Sequence, residues 1–228
     1  MIGILGAMDI ELEALLADLQ QKESEQISGF TFFKGKLSGR EVVIAKCGIG
    51  KVAAAVCAQT MILRYAPSLL LHTGVAGTLT SALSVTDVAI GTSAVQHDMD
   101  TSPLGDPVGL ISGINKIYFE ADKKAADLFL AIAKESGVNA IGGTIASGDQ
   151  FIASAEQKAR IVKNFDAIAC EMEGGAVAHA AYLAKTPFVI LRAISDSADG
   201  SSHMDYPTFL PIAANRSYAM VKEFLKRY

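Results

Sequence analysis

The chain has 228 residues and a net charge of −4; half of its residues are hydrophobic and 19% are charged. This composition supports a sizeable buried core and excludes an intrinsically disordered chain. The lysines and arginines form no stripe or tail, which argues against nucleic-acid binding. No apolar run reaches the roughly 18 residues of a membrane span.

The three cysteines, Cys47, Cys57 and Cys170, are odd in number and lie far apart in apolar segments. They predict buried free thiols in a reducing compartment rather than disulfides. With the four histidines they make no metal-ligand spacing, so no metal site is expected. The first residues lack the basic start and the length of a signal peptide. We therefore predict a cytoplasmic protein without a membrane segment.

The first predicted elements are a buried strand over residues 2–6 and, after a tight loop, a helix with leucines at helical spacing. Asp9 is expected to be the N-cap of this helix. Glu13 is expected to face water. Glu11 lies one turn before Leu15 on the inward side, directly after a strand end, and is the better functional candidate.

Two glycine-rich segments follow in the next part of the chain. Strands over 30–37 and 41–47 are predicted to form a hairpin, and Gly48-Ile49-Gly50-Lys51 then opens a helix. This segment fails as a Walker loop, and the acid that should follow a dinucleotide fingerprint after about 20 residues is missing. We interpret it as a turn that lets backbone approach a neighbour closely. A buried strand over 68–73 is expected to end in a second glycine loop over 74–77.

The rest of the chain alternates strands with helices, which predicts an α/β fold. Residues 103–114 interrupt the alternation with an irregular segment of the length typical of a functional or interface loop. No repeat or linker appears, so one domain is expected over residues 1–228. The remaining elements are predicted strands over 85–95, 140–146 and 166–170, and helices over 121–136, 154–164 and 208–228.

The most informative predicted strand runs from Thr186 to Asp196. It is apolar and β-branched and delivers Arg192, Ser195 and Asp196 at its end. Open α/β sheets place their ligand sites at the carboxyl ends of such strands, so Asp196 is a candidate acid or base. A structural interpretation is equally open at this point, in which Asp196 caps the next helix or pairs with Arg192.

The predicted strand ends together supply carboxylates, glycines, methionines and a flat aromatic ring. Paired carboxylates suit acid/base hydrolysis at an acetal-like carbon, such as the one that joins ribose and base in a nucleoside. Phe151 could stack on a purine, and Glu173 could accept both ribose hydroxyls. Glu171 and Glu173 are two residues apart, so at most one would face a pocket if this turn were helical.

The whole chain, in order, resembles the bacterial 5′-methylthioadenosine/S-adenosylhomocysteine nucleosidases. The resemblance implies the nucleoside phosphorylase fold, a three-layer α/β sandwich with a mixed central sheet, assembled as a homodimer without any cofactor. It rests on these segments: Gly3-Ile4-Leu5-Gly6-Ala7-Met8-Asp9-Ile10-Glu11, Cys47-Gly48-Ile49-Gly50-Lys51-Val52, Thr73-Gly74-Val75-Ala76-Gly77, Ser147-Gly148-Asp149-Gln150-Phe151-Ile152, Glu171-Met172-Glu173 and Arg192-Ala193-Ile194-Ser195-Asp196.

The resemblance also implies roles for individual residues. Asp196 would protonate the seven-position nitrogen of adenine, positioned by Ser195 and Arg192, and Glu11 would activate the attacking water. Glu173 would accept the ribose hydroxyls. The other implied substrate-binding residues are Met172 against the sugar, Phe151 and the backbone of Ile152 at adenine, Met8, Ile49 and Tyr206 around the 5′-alkylthio group, Leu104 from the partner subunit, and Val75, Ala76, Gly77 and Glu171.

Two departures from the family pattern affect this assignment. Many relatives have Ser where Val75 stands, and residues 100–115 differ from the commonest pattern, which leaves the 5′ pocket and the dimer contacts open. Three other functions compete with this one: a phosphate-dependent phosphorylase, a non-catalytic nucleoside-binding protein and a dinucleotide-binding oxidoreductase. The acid Glu11 in the first loop would repel phosphate, and a binding protein would not need both Glu11 and Asp196.

Overall fold

The computed structural model describes residues 1–199 and 202–228, with backbone alone for 202–205. These residues form ten strands and six α-helices in alternation. In chain order they are β1 (Ile2–Gly6), α1 (Asp9–Ala17), β2 (Gln20–Ile27), β3 (Phe30–Leu37), β4 (Arg40–Lys46), α2 (Lys51–Tyr65), β5 (Leu69–Thr78), β6 (Val88–Gln96), β7 (Phe119–Glu120), α3 (Lys123–Glu135), β8 (Ala140–Ser147), α4 (Ala155–Phe165), β9 (Ala167–Glu171), α5 (Gly174–Ala184), β10 (Phe188–Asp196) and α6 (Ser202–Arg227).

All ten strands belong to one mixed sheet with the order β10-β6-β8-β9-β5-β1-β4-β3-β2, and β7 pairs with β6. Because β10 also pairs with β5, five strands close into a ring: β5, β10, β6, β8 and β9. The ring is possible because β5 is long and buried along its whole length. It pairs with β1 over its first residues, with β10 from Leu70 to Gly77, and with β9 at Gly77 and Thr78. The predicted mixed α/β sheet is confirmed.

The strands that carry the candidate carboxylates run parallel. β1 and β10 both pair with β5 in parallel register, with Ile4 opposite Leu71 and Val189 opposite Leu71 on the other side. Their carboxyl ends therefore meet at one edge of the sheet, as the sequence predicted. Strands buried on both faces read as continuous apolar runs, which is why β5 and β10 are recognisable without alternation.

Helices cover both faces of the sheet. α2 and α5 pack against each other on one face, whereas α1, α3 and α6 pack on the other. Phe129 of α3 stacks on Phe224 of α6 with ring centroids 4.2 Å apart, and both rings are buried in the hydrophobic core between these helices and the sheet. Within the described residues, no helix combines the length and the hydropathy required to cross a membrane.

Several predicted boundaries are wrong for identifiable reasons. Strand β2 was missed because its sequence, QQKESEQI, is polar and mostly exposed, as suits an edge strand. Asp9 is not the N-cap: Met8 occupies that position, and the exposed Asp9 carboxylate pairs with Lys46 at 2.8 Å. Residues 74–77 form no loop, because they continue β5 to its pairing with β9.

The last helix also begins earlier than expected. Pro207 and Pro211 lie inside α6, which starts at Ser202 rather than at Thr208. Both prolines lie beyond the first four residues of α6, so each removes an intrahelical hydrogen bond, and this cost is the reason the sequence predicted a later start. The three cysteines are free and buried, as predicted.

Candidate active site

A cavity of about 280 Å³ opens at the carboxyl ends of β1, β5, β9 and β10. All the sequence-predicted site residues except Arg192 and Leu104 line it. The lining residues are Ala7, Met8, Glu11, Ile49, Val75, Ala76, Gly77, Gln150, Phe151, Ile152, Cys170, Glu171, Met172, Glu173, Ser195, Asp196 and Tyr206. The predicted convergence of the first strand and the 186–196 strand on one pocket is therefore observed.

Glu11 is buried at the start of α1 and held by three backbone N–H groups. Ala7 and Met8 donate to Oε2 at 2.8 and 3.0 Å, and Val75 donates to Oε1 at 3.0 Å. Burial raises the pKa of Glu11, and the charge of Arg192 and these hydrogen bonds offset part of that rise. The carboxylate is thus fixed in place and is a better proton acceptor than a glutamate in water.

Asp196 is the last residue of β10, the last strand in the chain, and is also buried. Its Oδ2 accepts a hydrogen bond from Ser195 Oγ at 3.0 Å, and its Oδ1 accepts one from the Ala198 N–H at 2.9 Å. Asp196 forms no ion pair with Arg192, whose described carboxylate partner is Glu171, so the interpretation of such a pair is wrong. The other interpretation, a cap on the next helix, concerns the contacts of residues 200–205, which lie outside the described part of the chain. The expected contact with Ser195 is present.

Arg192 is fully buried and does not contact Asp196. Its guanidinium forms an ion pair with Glu171 and donates to His72. The expectation that Arg192 positions Asp196 is therefore wrong. Regular alternation would place Arg192 and Asp196 on one face of β10, but the pairing with β5 shifts register between Ile194 and Asp196 and interrupts that alternation.

Glu171 and Glu173 both line the cavity, because β9 ends at Glu171 and α5 begins only at Gly174. The prediction that at most one could face the pocket assumed a helical turn, which is absent. Glu171 is saturated with partners: Arg192, the Ser147 hydroxyl and the N–H groups of Glu173 and Gly174. Its oxygens are therefore occupied by the protein itself.

Glu173 has far fewer partners. Among the described residues, the Gly50 N–H donates to its Oε1 at 2.9 Å. Gly50 has φ of 96°, a conformation that glycine adopts without strain, and this conformation turns its N–H toward the site. Burial and the neighbouring Glu171 raise the pKa of Glu173 to about 7. This carboxyl group is the one of the pair that is free to bind a ligand.

The opposite wall of the cavity is apolar and aromatic. Phe151 is 49% exposed and meets the Tyr206 ring edge-on, with centroids 5.6 Å apart. The Tyr206 hydroxyl donates to Met8 Sδ at 3.3 Å, and Ile152 is buried beside them. The exposed ring of Phe151 can stack on a flat ligand ring in a cavity that the carboxyl groups also line.

Two predicted residues lie at or beyond the rim of the site. Ile49 is 61% exposed where the turn before α2 reaches the cavity mouth. Leu104 is 84% exposed in a 3₁₀ turn (Ser102–Leu104) and does not line the cavity of its own chain. Its expected role requires a second copy of the chain and stays a prediction.

The sequence did not indicate a role for His72 or Ser147, which hydrogen-bond to Arg192 and Glu171, respectively. His72 lies fully buried in β5, and Ser147 donates to Glu171 and accepts from the Gly175 N–H at 2.6 Å. A single histidine inside the run Leu69-Leu70-Leu71-His72 was the available signal. His72, Glu171 and Glu173 have potential metal-ligand atoms within 4.8 Å of one another. The Arg192 guanidinium already contacts two of these residues, His72 and Glu171, and its positive charge offsets the negative charge of the carboxylate.

Known proteins of one superfamily resemble this chain along its whole length. A model of the phosphorylase superfamily matches residues 1–226. The chain is 36% identical to the 5′-methylthioadenosine/S-adenosylhomocysteine nucleosidase of Neisseria meningitidis, solved in complex with methylthio-immucillin-A, with a TM-score of 0.96 over 100% of this chain and 99% of that one. It is 32% identical to the S-adenosylhomocysteine nucleosidase of Streptococcus pyogenes (TM-score 0.94, 99% and 95% covered). It is 35% identical to the futalosine hydrolase of Helicobacter pylori (TM-score 0.95, 100% and 97% covered).

The raised pKa of Glu173 predicts a pH dependence of stability. An unfolded glutamate loses its proton near pH 4.5, whereas folded Glu173 keeps it up to about pH 7. The folded state therefore binds more protons in this window, and the free energy of unfolding falls as the pH rises from about 4.5 to 7. Glu173→Gln should remove about 1–3 kcal/mol of this fall, measured by urea unfolding from pH 5 to pH 8.

The matched control is Glu156→Gln, on the exposed surface of α4. It should leave the pH dependence of the unfolding free energy as it is in the unmodified protein. Parallel pH dependences for the Glu173 variant and the unmodified protein would contradict the assignment.

Proposed function

Because the chain belongs to the phosphorylase superfamily and, within it, to the 5′-methylthioadenosine/S-adenosylhomocysteine nucleosidases, we propose that it hydrolyses the N-glycosidic bond of these two nucleosides. The products are adenine and the 5′-thio-ribose, as methionine salvage requires. One observation carries the proposal: the cavity joins Glu11, Glu173 and Asp196 to the aromatic wall of Phe151 in a chain that matches such enzymes over its whole length.

The geometry supports a division of labour between the carboxyl groups. Asp196 gives a proton to the adenine ring, so that the bond from adenine to C1′ of the ribose breaks with its electron pair on the base. Water attacks C1′, and Glu11 accepts the proton that the water loses. Glu173 accepts the ribose hydroxyls, and Phe151 stacks on adenine. The buried negative charge stabilises the oxocarbenium character that develops on the ribose.

The electrostatics favour water over phosphate as the nucleophile. Four carboxyl groups line the cavity, and the guanidinium of Arg192 is already shared between Glu171 and His72. Phosphate sites are normally built from free arginine forks and N–H groups that carry no carboxylate. Here the backbone N–H groups of Ala7, Met8 and Val75 are occupied by Glu11.

A futalosine-type nucleoside is a second candidate substrate, since the chain is 35% identical to the futalosine hydrolase of Helicobacter pylori over its whole length. Such a substrate would place a larger group in the 5′ part of the cavity, near Met8 and Tyr206. The chemistry at C1′ would be unchanged.

A substrate panel tests the proposal directly. Adenine release is measured from methylthioadenosine, S-adenosylhomocysteine and 5′-deoxyadenosine, and hypoxanthine release from futalosine, each with and without phosphate. We expect methylthioadenosine and S-adenosylhomocysteine to be cleaved at the same rate in both buffers. A strict requirement for phosphate would show that the enzyme is a phosphorylase, and no cleavage of any nucleoside would leave only a binding protein.

Asp196→Asn should lower kcat for methylthioadenosine by about 10²- to 10⁴-fold, because the variant cannot supply the proton that makes adenine a leaving group. The amide keeps the size of the side chain, so KM should change little. The matched control is Asp127→Asn on the exposed face of α3, where Asp127 pairs with Lys123. Unchanged turnover in Asp196→Asn would refute the assigned role of Asp196.

A homodimer is part of the same proposal and is supported by exposed apolar side chains on α2 and α5. Val52 and Leu63 of α2 are each 77% exposed, and Leu183 of α5 is 60% exposed. A contiguous surface of this kind is typical of a protein interface. A second copy placed there would bring its own Leu104 toward the open 5′ side of the cavity. We also take residues 1–228 as one domain, since one sheet unites them, and the free buried thiols favour a cytoplasmic location.

Leu63→Asp should convert a dimer into a monomer, because it places a charge in the apolar interface. Sedimentation velocity measures the change, and KM for methylthioadenosine should rise with it as the 5′ pocket opens. The control is Glu13→Gln, on the exposed face of α1 away from this surface. A monomeric unmodified protein with full activity would contradict the dimer.

A further inference from the structure

His72 lies at the centre of β5, fully buried, with Leu5 of β1 and Ile190 of β10 as its neighbours in register. Its ring contacts the guanidinium of Arg192: Nη2 lies 2.7 Å from Nδ1 and 3.2 Å from Nε2. Arginine can only donate, so a ring nitrogen must accept, and we assign the nearer one, Nδ1, as the unprotonated acceptor. The ring proton is then on Nε2.

The surroundings keep this imidazole neutral. Burial and the adjacent Arg192 lower the pKa of His72 well below its usual range. The charged groups near the ring are Arg192 on β10, Glu171 at the end of β9, and Glu173 just after that strand. A neutral acceptor is the form that can share a hydrogen bond with a guanidinium, because a protonated ring would repel it.

The contact with His72 fixes the rotation of the guanidinium. Nη2 has two hydrogens, of which one goes to Glu171 and the other to His72. Because both Nη2 hydrogens are used in these two hydrogen bonds, the plane and the orientation of the guanidinium are fixed. Nη1 and Glu11 Oε1 then both lie beside Gly74, where a methyl group added to Gly74 would collide with both atoms. The space left by Gly74 is where Arg192 and Glu11 face each other.

We propose that His72 is a positioning residue for the hydrolytic reaction, acting as a neutral acceptor that directs the charge of Arg192 toward Glu11. Without it, Glu171 alone holds Nη2, so the guanidinium can turn about that contact and Nη1 can move away from Glu11. His72 touches neither the cavity nor the substrate, so it acts through Arg192 alone. The inference rests on the proposed function in one respect, namely the role of Glu11 as the base.

Three variants test the proposal by steady-state kinetics with methylthioadenosine. His72→Leu removes the acceptor and should lower kcat about ten- to a hundredfold, with KM within about twofold. His72→Asn places an amide oxygen near the position of Nδ1 and should restore kcat to within about threefold of the unmodified protein. Thr73→Val is the matched control on the same strand: Thr73 is buried, and its hydroxyl has no hydrogen-bond partner among the described residues.

The pH profile separates positioning from a purely structural role. Arg192 lowers the pKa of Glu11, so its displacement should move the acidic limb of kcat/KM to higher pH by about half a unit to one unit in His72→Leu. The limb should stay in place in His72→Asn and Thr73→Val. A folded His72→Leu variant with the kcat and pH profile of the unmodified protein would overturn the proposal.

A measurement on the unmodified protein keeps the test open should His72→Leu fail to fold. Nitrogen-15 NMR of the imidazole should show Nδ1 unprotonated and Nε2 protonated from about pH 5.5 to 8.5. Protonation of Nδ1 or an ordinary titration of the ring would overturn the proposal. This result is independent of the substrate, so a protein that released no adenine would remove the proposed function without deciding the state of His72.

Discussion

The burial of several carboxyl groups at one edge of the sheet is the constraint on which the site depends. A carboxylate removed from water must regain hydrogen bonds, and one arginine cannot serve four of them. Most of these hydrogen bonds come from backbone N–H groups. The loop before α1 and strand β5 donate to Glu11, the turn before α2 donates to Glu173, and the segment after β10 donates to Asp196. The strand ends and tight turns are where such groups are free.

This arrangement determines which ligands the cavity can accept. Excess negative charge in a partly dry pocket favours a neutral substrate that becomes cationic as it reacts, and it disfavours a phosphate nucleophile. The same charge works against the folded state, because deprotonation of Glu173 costs free energy near neutral pH. Strain of this kind is commonly concentrated where chemistry takes place. The positive charge of Arg192 reduces this repulsion from a buried position outside the cavity lining, where the side chain is shielded from the ligand.

How far the sequence anticipated these features depends on whether the signal was local. The apolar runs of β5 and β10, the inward face of Glu11 and the glycine turn before α2 were predictable, since each follows from a few neighbouring residues. The edge strand β2 was not, because its pairing with β3 overrides a polar sequence. The partner of Arg192 was also out of reach: Glu171 and His72 are brought to it by strand order, and no local pattern encodes that order. Family resemblance supplied the roles, but it assigned Arg192 to the wrong carboxylate.

The closed ring of five strands has a consequence for synthesis and folding. β10 must pair with β5, which lies more than a hundred residues earlier, before the ring can close. Contacts between such distant segments form slowly, because the intervening chain must first be ordered. On the ribosome, Glu11 is made long before Asp196, so the two carboxyl groups can come together only after β10 has emerged. A polypeptide that stops before β10 lacks Asp196 and cannot complete the cavity.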